Sequence, residues 1–303
     1  MLFDLDKIDV TIIENELTKA KGIKLSVIRL DKIHPVVSGN KLFKLYYFLI
    51  LAIKAKIPAP SYRIITFGGA YSNHLAATAY ACRILKIEAI GIVRGEKPAK
   101  LSHTLQQCID EGMQLKFISR EEYDKKESDA FIENLKSEFG DHILVPEGGY
   151  ESLGADGASL INGVLKEKYS HVCCAIGTAT TVAGLLKNKE QQVIGVPVLK
   201  GMTDIQERIL HLTNDKERLN RLIILNDYHF GGYAKYTPEL INFMNDIYQQ
   251  YQIPLDFVYT AKLLYAIFDA IKKDLFPKGS MIACLHTGGL QGNLSLPPDT
   301  LFF

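Results

Sequence analysis

Four segments of the 303-residue chain hold residue types that could do chemistry. In His34-Pro35-Val36-Val37-Ser38-Gly39-Asn40-Lys41, a Gly-Asn turn delivers Lys41 to the start of a helical pattern. That pattern is apolar for two turns (Leu42, Phe43, Leu45, Tyr46, Phe48, Leu49). A lysine held there is partly desolvated and close to a helix N-terminus, and both effects favour the neutral amine. A neutral amine is the form that attacks an aldehyde to give an imine. The competing reading is an ordinary exposed lysine opening a helix, which spacing alone favours.

The second segment is Phe67-Gly68-Gly69-Ala70-Tyr71-Ser72-Asn73-His74. Glycines after a strand permit a sharp turn, and Ser72 or Asn73 can cap the helix that follows. Helix-start N–H groups with short hydroxyl and amide side chains also suit a carboxylate or a phenolate oxygen. Capping explains one polar residue, not Ser72, Asn73 and His74 in succession. The third segment, Cys173 to Gly184, runs from a buried strand through Gly177, Thr178, Ala179, Thr180 and Thr181 into a helix. Converging N–H groups and three threonine hydroxyls suit a monophosphate. The spacing is neither that of a P-loop nor GxGxxG, and a plain tight turn is the alternative. The fourth group is C-terminal: Phe230-Gly231-Gly232-Tyr233, then Leu255 to Lys262 with Tyr259 and Thr260 at a helix start, then His286-Thr287-Gly288-Gly289. Each of these is weak alone, because tyrosines often simply pack.

The elements that position these segments alternate. Strand-like runs at 64–67, 89–93, 115–118, 171–176 and 193–198 are interleaved with helical runs at 75–85, 101–111 and 182–186. A helix over 256–271 and a strand over 281–285 follow. This order predicts mostly parallel sheets covered by helices on both faces, with the site where strands feed loops. The turn-rich stretch from Val145 to Tyr150 reads as a crossing between two domains.

Bulk properties narrow the function classes. Lys plus Arg (35) nearly equals Asp plus Glu (34), giving a net charge of +1 and no bulk electrostatic case for nucleic acid or an anionic membrane. The acidic N-terminus does not read as a signal peptide, and the longest apolar stretch is too short to span a bilayer. Cys82, Cys108, Cys173, Cys174 and Cys284 show no metal spacing, so no metal site is expected. Buried reduced thiols in a cytoplasmic protein are the expectation, with Cys173 and Cys174 on opposite faces of a strand.

Taken in order, SGNKLFKL, GGAYSNH, GTATTVAG, LDFVYTAK and HTGG resemble the GGNKxRKL, GGxQSNH, GSGGTxAG, LDPVYTGK and HTGG stretches of one family. That family comprises the 1-aminocyclopropane-1-carboxylate (ACC) deaminases and D-cysteine desulfhydrases, within the tryptophan-synthase-β-like, fold type II enzymes dependent on pyridoxal 5′-phosphate (PLP). The resemblance covers essentially the whole chain. It implies two open, twisted, mostly parallel sheets with helices on both faces and PLP in the interdomain cleft. The large domain would take residues 1–42 and 151–303, with 43–150 a small inserted α/β domain.

The resemblance further implies that Lys41 carries PLP as a Schiff base, that Lys44 reaches the phosphate and that Gly177, Thr178, Ala179, Thr180 and Thr181 form its cup. Asn73 would bond the phenolic oxygen and Thr260 would face the pyridine nitrogen. Ser72, with Asn73, His74 and Thr287, would contact the substrate, and Tyr233 and Tyr259 would stand near its leaving side. Thr260 and Thr287 replace the Glu and Leu of the deaminases, pointing to the desulfhydrase branch. A neutral hydroxyl at the nitrogen makes a weaker electron sink, sufficient when a thiolate departs from Cβ. Departures from the pattern fall at Ala179, Thr180, Tyr71, Phe257 and the Leu75-Ala76 pair. The expected function is PLP-dependent α,β-elimination from a small D-amino acid, D-cysteine favoured, by a homodimer. The alternatives are ACC deamination and a PLP-binding protein with little catalysis.

Overall fold

A computed structural model describes Leu5, residues 8–34, 39–54 and 63–303. The 35–38 part of the lysine-bearing loop lies outside the described residues. Two sheets organise the chain. The larger has the order β1-β2-β10-β7-β8-β9, formed by β1 (Asp9–Ile13), β2 (Lys24–Arg29), β7 (His171–Ile176), β8 (Gln192–Pro197), β9 (Leu222–Ile224) and β10 (Met281–Leu285). Only the β1–β2 pairing in it is antiparallel. The smaller has the order β5-β4-β3-β6, all parallel, from β3 (Arg63–Gly68), β4 (Glu88–Arg94), β5 (Gln114–Ile118) and β6 (His142–Val145).

Eleven α-helices pack around these sheets among the described residues: α1 (Glu16–Lys21), α2 (Asn40–Lys54), α3 (Asn73–Leu85), α4 (His103–Asp110), α5 (Arg120–Asp124), α6 (Asp129–Phe139), α7 (Ser152–Ser159), α8 (Thr180–Leu185), α9 (Ile205–Thr213), α10 (Pro238–Tyr251) and α11 (Thr260–Lys272). None of them is long and apolar enough to cross a membrane. The alternation anticipated from the sequence is therefore present, and the architecture is the expected α/β one. The 42/43 position falls within the first turn of α2.

The apolar runs form strands because both faces of each sheet are covered. Strand β7 shows this most directly. Cys174 belongs to the buried cluster that contains Leu45, Ala155 and Val182, whereas Cys173 belongs to the one on the other face that contains Leu240, Ile267 and Cys284. All five cysteines are buried and unpaired, which agrees with the reduced thiols read from the sequence. Helix α2 reaches α7 through a glycine. A Cβ on Gly157 would stand 2.1 Å from the Phe43 carbonyl oxygen. That close approach seats the start of α2, with Asn40 and Lys41, against α8.

One expected helix starts late. The run from Asp256 becomes helical only at Thr260, because the Asp256 carboxylate caps it, accepting the N–H groups of Tyr259 (2.9 Å) and Thr260 (3.1 Å).

Candidate active site

A cleft of ≈ 530 Å³ opens between the two sheets at the C-terminal ends of β3, β7 and β10, the usual place for ligands in open α/β sheets. Its walls include Lys41, Lys44, Ser72, Asn73, His74, Gly177, Thr178, Ala179, Thr181, Tyr233, Tyr259 and Thr287. Residues that lie up to 246 positions apart in sequence thus face one space. Thr180 and Thr260 are not on the wall. The Thr180 hydroxyl pairs with that of Thr178 at 2.9 Å. The Thr260 hydroxyl accepts the Asp256 N–H at 2.8 Å and points its proton back at Asp256.

Lys41 is the second residue of α2. Gly39 makes that entry possible: its φ is +84°, and a Cβ there would lie 1.9 Å from the Thr287 carbonyl oxygen. Gly39, which leads into α2, therefore lies directly on the segment carrying Thr287. Lys41 Nζ stands 5.2 Å from the centre of the Tyr259 ring. Burial lowers its pKa, opposed by the Asp256 carboxylate and the Cys174 thiol, so more of it is the neutral amine than in an ordinary lysine.

Lys44, one turn further on, points to the other end of the cleft. Its Nζ donates to the Gly148 carbonyl at 3.0 Å and lies 3.5 Å from the Thr178 hydroxyl. Burial, with Lys41 nearby, brings it down to about 7. Asn40 donates its amide to the Thr181 hydroxyl at 2.6 Å, leaving that hydroxyl's proton free for another acceptor. Ala179 holds a left-handed φ of 66° as the chain enters α8, and the first-turn amides of α8 lack intrahelical acceptors.

The Ser72 hydroxyl caps α3, accepting the Leu75 N–H at 3.3 Å. Capping and lining the cleft are compatible, since its proton is not used by the cap. His74 is buried, and burial with Lys44 and Lys41 nearby lowers it to about 3, so it is neutral. Thr66 spends its proton on the Val145 carbonyl (2.8 Å), so His74 Nε2 must donate to the Thr66 hydroxyl (2.9 Å). That fixes Nδ1 as a lone pair, and it is buried without a partner, like Asn40 Oδ1 and Asn73 Oδ1.

The fourth group completes the wall. Tyr233 and Tyr259 meet edge to face with centroids 6.4 Å apart. Burial holds the Tyr259 phenol well above its usual range, with Tyr233 and Asp256 adding to it. Thr287 is buried at the foot of the cleft.

Asn40, Arg94, Glu147 and Arg208 also line the cleft, and Asp256 lies buried behind it; the sequence reading gave these no role. Asn40 and Asp256 sit inside the quoted motifs and had a signal. Arg94 and Arg208 lie on ordinary-looking elements and had none.

A donor set of two lysines, two threonine hydroxyls and free helix-start amides fits an aldehyde at one end and a phosphate at the other. A Cβ on Gly177 would press to 3.3 Å on the Tyr259 ring, so the absence of a side chain at 177 lets the loop lie close to that tyrosine.

No protein-family model matches the chain. It is 29% identical over 299 residues to a putative ACC deaminase of Pyrococcus abyssi, covering 91% of this chain and 87% of that one. It is 28% identical over 301 residues to a bifunctional mitochondrial D-cysteine desulfhydrase/ACC deaminase of Arabidopsis thaliana, covering 89% and 73%. Among solved structures, an ACC deaminase homologue superposes with a TM-score of 0.78 at 26% identity, covering 95% of this chain and 90% of that one.

Proposed function

We propose that this chain, an enzyme similar throughout its length to the ACC deaminases and D-cysteine desulfhydrases and sharing their fold type II architecture, binds PLP at Lys41 and eliminates the Cβ substituent of a small D-amino acid, D-cysteine first among them. The single observation that carries the proposal is the meeting of Lys41, Lys44, the 177–181 loop and Tyr259 in one cleft. PLP would give the substrate's Cα an electron sink. Lys41 would hold it by its aldehyde, and Lys44, Thr178, Thr181 and the α8 amides would hold its phosphate. Asn73 would reach its phenolic oxygen.

The chain's own residues then divide the proton work. Lys41, with its lowered pKa, is the base for the Cα proton once its amine is free. Tyr259 keeps its proton, because burial and its neighbours hold the phenol high, so it donates a hydrogen bond toward the departing group and does not compete as a base. Tyr233, edge-on to it, closes the same side. Ser72, through its free hydroxyl proton, and the α3 amides receive the substrate carboxylate. The products are pyruvate, ammonia and, from D-cysteine, sulfide.

Support for D-cysteine over ACC comes from positions 260 and 287. Thr287 lines the cleft, and Thr260 places no carboxylate on it. The nearby buried acid, Asp256, is committed to capping α11. A second reading, ACC deamination, is favoured by the relatives at 28–29% identity named putative ACC deaminases. Pyruvate release by the purified, PLP-loaded chain from D-cysteine, D-serine, L-serine and ACC separates the two. The proposal expects D-cysteine to be turned over fastest; turnover of ACC with none of D-cysteine reverses the assignment. The proposal includes a homodimer, expected to sediment at twice the chain mass.

A further inference from the structure

Lys262 lies three residues beyond Tyr259 on α11, has no exposed surface and takes no part in the chemistry above. Its neighbours on the helix, Ala261, Leu263 and Leu264, are buried and apolar. Its Nζ donates to two backbone carbonyls, that of His229 at 2.8 Å and that of Gly232 at 2.7 Å. Both acceptors are neutral. Burying an ammonium to satisfy uncharged carbonyls costs free energy that an apolar side chain of similar volume avoids.

What the cation secures is the backbone of an irregular turn that otherwise meets α11 through side chains, with the Tyr228 hydroxyl donating to Asp269 at 2.6 Å and Phe230 edge-on to Tyr265. Between Tyr228 and Lys235 the backbone is irregular, and Phe230 and Ala234 take left-handed φ of 50° and 51° beside Gly231 and Gly232 at 92° and 117°. Side-chain-bearing residues persist in that region only where the surroundings over-determine them. The His229 oxygen that receives Lys262 also accepts the Gly232 N–H at 2.9 Å, and the Gly232 oxygen accepts the Lys235 N–H at 3.2 Å. Lys262 therefore grips both carbonyls that close the turn. Tyr233 follows Gly232 directly and is 49% exposed, so its own packing fixes it weakly. It nonetheless meets the Tyr259 ring, which faces Lys41.

We infer that Lys262 is a positioning residue that clamps the 229–235 turn to α11, so that Tyr233 and Tyr259 form one rigid wall beside Lys41. The catalytic half of this inference rests on the reading of those tyrosines as the leaving-side residues; the clamp itself does not. Burial brings Lys262 down to about 8, opposed by Asp256, so it remains mostly an ammonium at neutral pH and has three N–H donors to offer.

Hydrogen exchange and kinetics on the full chain test both halves. In Lys262→Met, amides 229–235 of the PLP-free protein should exchange about ten-fold faster or more, because their opening no longer breaks two ammonium bonds, while β7 is unchanged. Lys262→Gln keeps uncharged donors and should fall between; it carries the test if the methionine variant does not fold. Unchanged exchange in a folded, uncharged variant overturns the clamp. With PLP and the best substrate of the pyruvate assay, Lys262→Met should lower kcat about ten-fold through misplacement of the tyrosine. Added to Tyr233→Phe, it should cost nothing more, since both act through one phenol; multiplying effects would overturn the positioning role. If no amino acid is turned over by the parent chain, the functional reading fails while the exchange result still decides the clamp.

Discussion

The Lys44 side of the cleft and the Tyr233 side are built on different principles. On the Lys44 side, polar side chains are held by regular elements: Asn40 and Lys44 on α2, Thr181 on α8, with α2 seated on α7 by Gly157. On the Tyr233 side, an irregular turn is held to α11 by one buried ammonium on its backbone and by the Tyr228–Asp269 and Phe230–Tyr265 side-chain contacts, and a buried carboxylate caps that helix. Elements fixed by packing suit a feature every reaction of the fold shares, such as an anion cradle. A turn fixed by a few polar bonds can change shape with few substitutions. The physical expectation is that substrate choice resides on the Tyr233 side.

Gly39→Ala should break the fixed side most severely. The substitution combines a left-handed φ with a backbone clash at 1.9 Å, which together should destabilise the chain by about 3 kcal/mol or more. Urea unfolding measures it, and a loss below about 1 kcal/mol would show that the entry to α2 at Gly39 is adaptable.

Lys44→Met tests the same side by pH. The folded chain holds Lys44 near 7 against an ordinary 10.5, so between those values the unfolded chain binds the extra proton and stability rises with pH. Lys41 and Lys262 are also lowered and act in the same direction. Above pH 9 the thiols of Cys82 and Cys108, pushed up to about 12, oppose them. The PLP-free chain should therefore gain stability from pH 7 to 9, and Lys44→Met should remove on the order of 1 kcal/mol per pH unit of that slope. An identical slope in the variant would mean Lys44 is solvated.

Ala179→Gly is the smallest effect. It relieves the left-handed φ of 66° and should stabilise the chain by about 0.5–1 kcal/mol, read as a rise in the urea midpoint at constant slope. Destabilisation would show that the Ala179 methyl, buried in the core, contributes more by packing than it costs in strain.

Much of this was legible in the sequence, for physical reasons. Strands β3, β4, β7, β8 and β10 are runs of mostly buried residues that alternate with helices, and β5, though only Ile118 in it is buried, continues that alternation. Strands β1 and β2 escape because Asp9, Lys24 and Arg29 bound them and Thr11 and Ser26 break their apolar runs, and β9 because it has three residues. The cleft residues that stand in glycine- and hydroxyl-rich motifs were all nameable from the chain. Thr260 was nameable too, but its hydroxyl is drawn into the cap of α11, a local bond that competes with facing the cleft. Lys262 carries a signal in the sequence, since a lysine on the apolar face of a helix needs acceptors, but only the fold shows that they are carbonyls 30 and 33 residues away.

The central claim, that Lys41 carries the cofactor, has one direct measurement. The purified chain is incubated with PLP, reduced with borohydride, digested and sequenced by mass spectrometry. The account predicts a phosphopyridoxyl adduct on Lys41 and none on Lys44 or Lys262. An unmodified Lys41 peptide, or an adduct on another lysine, contradicts it.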